Sequence, residues 1–166
     1  MLLGPKDGWM CQGMYGADGS GGLLLSPVGE PVPSDPDAGW HLAASSSTQA
    51  IVGYETGGSP VQGAALACSL FGPAATEYQQ SFNKSCPARP DQESTTSLSA
   101  VAAGFEDPAG VSGDGIPSGG QNAANGVVLY QPRSNEPTAY SATCTLPSSQ
   151  HAVCTAVLNH FVAQYG

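Results

Sequence analysis

The sequence predicts an α+β fold: a small antiparallel sheet covered on one face by two or three helices and stapled by disulfides. Three observations carry this expectation. Strict alternation marks a late strand, in which Tyr140, Ala142, Cys144 and Leu146 interleave with Ser141, Thr143 and Thr145. Helix-start signals recur at Ser59-Pro60, Gly72-Pro73 and Pro147-Ser148-Ser149, each ahead of residues at helical spacing. Four of the five cysteines fall in pairs beside the turns that join these elements. At 166 residues the chain suits one domain, 1–166, long enough to bury a core without staples merely to fold.

Element by element, the first strand is read over 21–28, where GGLLLSPV is apolar and closed by a proline-rich stretch. A second is read within 38–56 and ends at Gly57-Gly58. Ser59 then caps a helix whose first position is Pro60. Its apolar residues occupy more than one side, with Val61, Ala64, Cys68 and Phe71 on one and Leu66 and Leu70 on another, so this helix is expected to be buried. Gly72-Pro73 breaks it and starts a second helix, in which Tyr78 and Phe82 lie four apart and share a face.

The segment 98–105, LSAVAAGF, fits a short strand or a helix equally well. From 106 to 125 the chain is too polar and glycine-rich for regular structure, and a loop of that length is expected to be functional or mobile. A hairpin is read over 126–146, with its turn at Pro132, Asn135 and Pro137. A serine-capped helix closes the chain, with Val153, Cys154, Val157, Leu158, Phe161 and Tyr165 in one apolar stripe.

Cys144 faces inward from the last strand and Cys154 inward from the last helix, so a disulfide between them is expected. Cys68 and Cys86 repeat the arrangement across the Gly72-Pro73 break and form the second expected bridge, which leaves Cys11 over. Zinc at His151, Cys144 and Cys154 lacks a fourth ligand, because His160 lies on the opposite side of the helix. No metal and no cofactor is therefore expected. Two bridges place the protein in an oxidising compartment, extracytoplasmic or secreted, such as a cell envelope. The opening MLLGPKDGW has no signal-like apolar core, so export implies a leader already removed.

Charge narrows the partners. Thirteen Asp and Glu against four Lys and Arg give a net charge of -9, an acidic protein that phosphate backbones and anionic lipids repel. Nucleic acid and a membrane span are not expected; a protein or small-molecule ligand is.

A search for chemistry finds candidates but no complete constellation. Ser20 sits among glycines, yet YGADGSGGLL is neither Gly-x-Ser-x-Gly nor Gly-Asp-Ser-Gly-Gly, and Asp18-Gly19 ahead of an apolar run reads as a turn. His41, with Asp35 and Asp37 upstream, is the best-placed general base, and Cys11 beside Gln12 is the alternative nucleophile. Glu106, Asp107 and Asp114 lack the alternation of a calcium loop. The expected function is a non-catalytic extracytoplasmic binding or interaction domain, with Trp9, Tyr15, Trp40 and Asp114 as contact residues. An exported hydrolase using Ser20 or Cys11 with His41, and a subunit of a surface filament or shell, are the alternatives.

Overall fold

A computed structural model describes residues 4–5, 7–29, 49–111, 120–132 and 137–166. Seven strands form one antiparallel sheet: β1 (Trp9–Tyr15), β2 (Gly21–Pro27), β3 (Ala50–Glu55), β4 (Ser94–Ser97), β5 (Ala102–Asp107), β6 (Ala124–Gln131) and β7 (Thr138–Thr145). Three helices accompany it: α1 (Pro60–Ala67), α2 (Gly72–Phe82) and α3 (His151–Tyr165). The spatial order is β1-β2-β3-β7-β6-β5-β4. Two meanders, β1 to β3 and β4 to β7, are thus welded where β3 meets β7, and α1 and α2 carry the chain from the centre of the sheet to its far edge.

The α+β class, the antiparallel sheet and the late hairpin are as the sequence predicts. The helices, however, divide between the two faces of the sheet. α1 and α2 cover one face through Ala64, Ala67, Phe71, Ala74 and Tyr78, packed on Ala103, Phe105, Val128, Tyr130 and Ala139. α3 covers the other through Phe161 on Ala102, Val127, Leu129 and Ala142, and through Cys154 and Val157 on Ile51 and Cys144. The reason lies in β5 and β6, where consecutive residues are apolar. Ala102 and Ala103 point opposite ways, as do Val127 and Val128, so both faces need cover. Each large apolar side chain buried this way contributes about 1.5–3 kcal/mol.

Other expectations are corrected in detail. The ambiguous 98–105 stretch supplies the start of β5. Glu106 and Asn125, expected to bound a structureless loop, are paired across β5 and β6, as are Asp107 and Ala124. β1 and β4 carry no clear alternation and escape the sequence reading. The serine caps are absent: Ser59 makes no side-chain cap hydrogen bond, and its carbonyl accepts from Gln62 and Gly63 instead. Ser148 and Ser149 belong to a 3-10 turn (Ser148–Gln150) that leads into α3.

Thr56 extends the central ladder beyond β3. Its backbone N–H donates to the Ala139 carbonyl at 3.0 Å, and its buried hydroxyl accepts from the Ala139 N–H at 3.0 Å. Gly63 lets α1 settle on this junction, since a Cβ there would lie 2.2 Å from the Pro137 carbonyl oxygen. Alanine in a helix is normally favoured over glycine by about 1 kcal/mol. Here the clash with backbone outweighs that gain, and Gly63→Ala is expected to destabilise by about 1–3 kcal/mol in denaturant unfolding. A stabilising substitution would show that α1 is not seated on β7 as described.

Candidate functional site

Cys144 and Cys154 are bridged, with Cα atoms 5.5 Å apart, inside the usual disulfide span. The bridge ties β7 to α3 in a wholly buried setting and closes a short loop worth about 3 kcal/mol in the chain-entropy account. With both sulfurs so engaged, the zinc alternative has lost its thiolates. His151 is exposed at the start of α3. His160 has its Nε2 buried with no hydrogen-bond partner among the described residues. Among those residues no group of three His, Cys, Asp or Glu is arranged to hold a metal ion.

The sequence candidates are dispersed. Trp9 is half-buried and packs with Leu25 and Val153 against the cluster around the Cys144–Cys154 bridge, which makes it a cover for the core. Tyr15 is 92% exposed. It rims a groove of about 190 Å³ with Leu23, Gly53, Tyr140, Phe161 and Tyr165, of which Tyr140 and Tyr165 stack at 5.2 Å. Cys11 is an exposed thiol on the edge strand β1. Trp40, His41 and Asp114 lie outside the described residues.

Ser20 closes a turn. Its hydroxyl donates to Asp18 Oδ1 at 2.6 Å and its N–H to the same oxygen at 3.0 Å. These donors hold the Asp18 carboxyl below its ordinary pKa, the hydroxyl being the larger cause, which makes it a weaker base for activating a nucleophile. The turn docks on the end of β3: Gly58 N–H donates to the Asp18 carbonyl at 2.8 Å. Gly57, at φ +51°, could carry no Cβ, which would lie 2.1 Å from the Gly19 carbonyl carbon. The turn expected at Asp18-Gly19 is therefore there, and it serves packing.

Sequence reasoning did not find a cleft of about 740 Å³ beside α1. Its apolar lining is Ala65, Leu66, Pro87, Ala88, Pro90 and Val111, and its polar lining is Tyr54, Thr56, Gln62, Ser69 and Arg89. α1 presents Gln62, Ala65 and Leu66 from one side because the opposite side of the helix is buried on the sheet, and Ser69 follows just beyond its cap. Tyr54, reaching over from β3, donates its hydroxyl proton to Gln62 Oε1 at 3.0 Å. Burial pushes the Tyr54 pKa up, and the nearby Asp18 charge adds to the rise, so the phenol stays protonated at neutral pH.

The opposite wall, 87–90, is held by Arg89. Its guanidinium makes a two-point pair with Glu93, Nε to Oε1 and Nη2 to Oε2, the latter at 2.7 Å. It also lies over the Phe105 ring at 5.0 Å, a cation–π contact. That ring in turn rests on Gly126, where a Cβ would lie 2.0 Å from Phe105 Cζ. The Glu93 side chain is only 1% exposed. The single cation on the described wall is thus already neutralised. The only prior signal was the Arg-x-x-x-Glu spacing, which does not distinguish a buried clamp from a surface pair.

Cys68 caps α1 and Cys86 follows α2. Both are free thiols, and Cys86 packs against the buried cluster that contains Cys68, without the bond expected from sequence. Burial, and then the Cys86 thiol, push the Cys68 pKa up to about 12.

No family model, curated protein or solved structure matches this chain. No helix among the described residues is long and apolar enough to cross a membrane.

Two outcomes are expected. Glu93→Gln removes the buried carboxylate that pairs with Arg89 and should cost about 3 kcal/mol of stability, measured by chemical denaturation; a change near zero would place the pair in solvent. Alkylation with iodoacetamide at pH 8 should label Cys11 at least about tenfold faster than Cys68, because a thiol with so high a pKa is roughly one part in ten thousand thiolate there. Peptide mass mapping over time reads the order.

Proposed function

We propose that this chain is a non-catalytic binding domain acting outside the cytoplasm, and that it holds a small, uncharged and largely apolar molecule in the cleft beside α1. The observation that carries the reading is the cleft itself. Its volume of about 740 Å³ falls in the range of small-molecule sites, and its lining combines apolar surface with a few polar groups. The electrostatics favour a neutral ligand. Arg89 is committed to Glu93, and Tyr54 remains a neutral phenol bonded to Gln62. A charged ligand would lose its hydration without finding a free counter-charge on the described walls.

Rigidity supports the same reading. The walls stand on a helix whose inner side is buried on the sheet, on the extended Thr56 ladder and on the Arg89–Phe105–Gly126 stack, which limits the ordering cost of binding. The buried Cys144–Cys154 bridge supports an oxidising compartment. The acidic surface keeps the protein soluble and away from anionic polymers.

The test is an NMR screen of uncharged aromatic and alicyclic fragments, read on backbone amides. Saturable shifts are expected at Tyr54, Gln62, Leu66 and Ala88. Gln62 is exposed, so Gln62→Trp should keep the fold while filling the cleft, and should weaken binding at least about tenfold. Shifts that persist unchanged in that variant, or that cluster elsewhere, would overturn the assignment.

A further inference from the structure

We infer that Cys68 and Cys86 are a redox-active pair, closing to a second, cleavable disulfide that ties the 87–90 wall of the cleft to the end of α1. The inference goes beyond the binding reading and does not depend on what the cleft holds. It starts from the path of the chain. α1 ends at Ala67 with Cys68 as its cap, and α2 ends at Phe82. Asn83 then takes a left-handed conformation, φ 52°, which turns the chain back towards α1. Cys86 thereby reaches the buried cluster that contains Cys68, Ala64 and Phe71 and packs against it.

Packing of Cys86 on the cluster that holds Cys68 brings the two side chains into one small region, so closing the bond requires only a local adjustment of the chain after α2. The residues next to them line the cleft: Ser69 follows Cys68, and Pro87 to Pro90 follow Cys86. Hydrogen bonding and packing alone hold this wall when the thiols are reduced. A covalent tie at its first residue would hold it in the oxidised state.

Their unequal exposure sets the order of the chemistry. Cys86 is half-exposed and Cys68 buried. As a thiolate, Cys86 attacks one sulfur of a small-molecule disulfide, RSSR; that S–S bond breaks, RS⁻ leaves, and a mixed disulfide forms on Cys86. Cys68 then gives up its proton and attacks the Cys86 sulfur, expelling the second RS⁻. In sum, two cysteine thiols are oxidised, one RSSR takes up the two electrons, and the two thiol protons end on two RSH. The high pKa of Cys68 makes the second step the slow one at neutral pH.

Trypsin separates the alternatives cleanly, because cleavage after Lys6, Lys84 and Arg133 puts Cys68 in peptide 7–84, Cys86 in 85–133 and the Cys144–Cys154 pair in 134–166. Cys11 shares the first peptide, so the experiment uses the Cys11→Ser variant incubated with millimolar oxidised glutathione. Peptides 7–84 and 85–133 should run joined before reduction and apart after it, and Cys86→Ser should abolish the link. Unlinked peptides with both cysteines alkylated, or both carrying glutathione, would overturn the pairing. In the linked form the amides of Ala88 and Arg89 should exchange hydrogen at least about tenfold more slowly than in the reduced form. Equal exchange would overturn the coupling between the bridge and the cleft wall.

Discussion

The seating of β7 between β3 and β6 is the constraint on which the rest of the molecule depends. It is among the last segments of the chain, yet it occupies the centre of the sheet and is buried on both faces, with only Tyr140 partly open. Until it is in place the first meander, β1 to β3, has no connection to the second. The β3–β7 pairing spans most of the chain, from Ala50 opposite Thr145 to Glu55 opposite Tyr140. Such a contact carries a large loop-closure cost, offset only when both faces of β7 are covered.

Its small side chains make that cover close. Ala139 meets the α1–α2 side and Ala142 the α3 side, so helices approach the backbone from above and below. Cys144 then anchors α3 covalently through Cys154. On the other face Gly63 brings α1 against Pro137, just before the strand begins. The polar residues of β7 are accommodated because threonine can satisfy its hydroxyl locally: Thr145 Oγ1 donates to the Ala50 carbonyl at 3.2 Å.

The cleft beside α1 is a consequence of the same arrangement. α1 is too short to cover the whole face, and the chain returning from α2 passes at a distance set by the Arg89–Phe105–Gly126 stack. What remains between them is a space walled by prolines and alanines and edged by Tyr54 and Gln62. The turn that Ser20 closes ahead of β2 is tied to the chain just beyond Tyr54 and Thr56 through the Gly58 N–H, which donates to the Asp18 carbonyl. A residue that looked like a nucleophile in sequence thus stands in a packing relay.

Local signals in the sequence determined the α+β class, the helices begun by Pro60 and Pro73, the hairpin ahead of the last helix, and the Cys144–Cys154 bridge, because each depends on periodicity or turn chemistry within a few residues. Only the tertiary structure decided that the helices divide between two faces, since apolar runs such as Val127–Val128 do not say which element covers which side. The alternation in β7 was visible, but its threonines read as a solvent face; the burial that reverses this comes from α1 and β3, remote in sequence. The cleft and the Arg89–Glu93 clamp were equally hidden, because their parts come from β3, α1 and the segment after α2, and no spacing along the chain encodes a gap between surfaces.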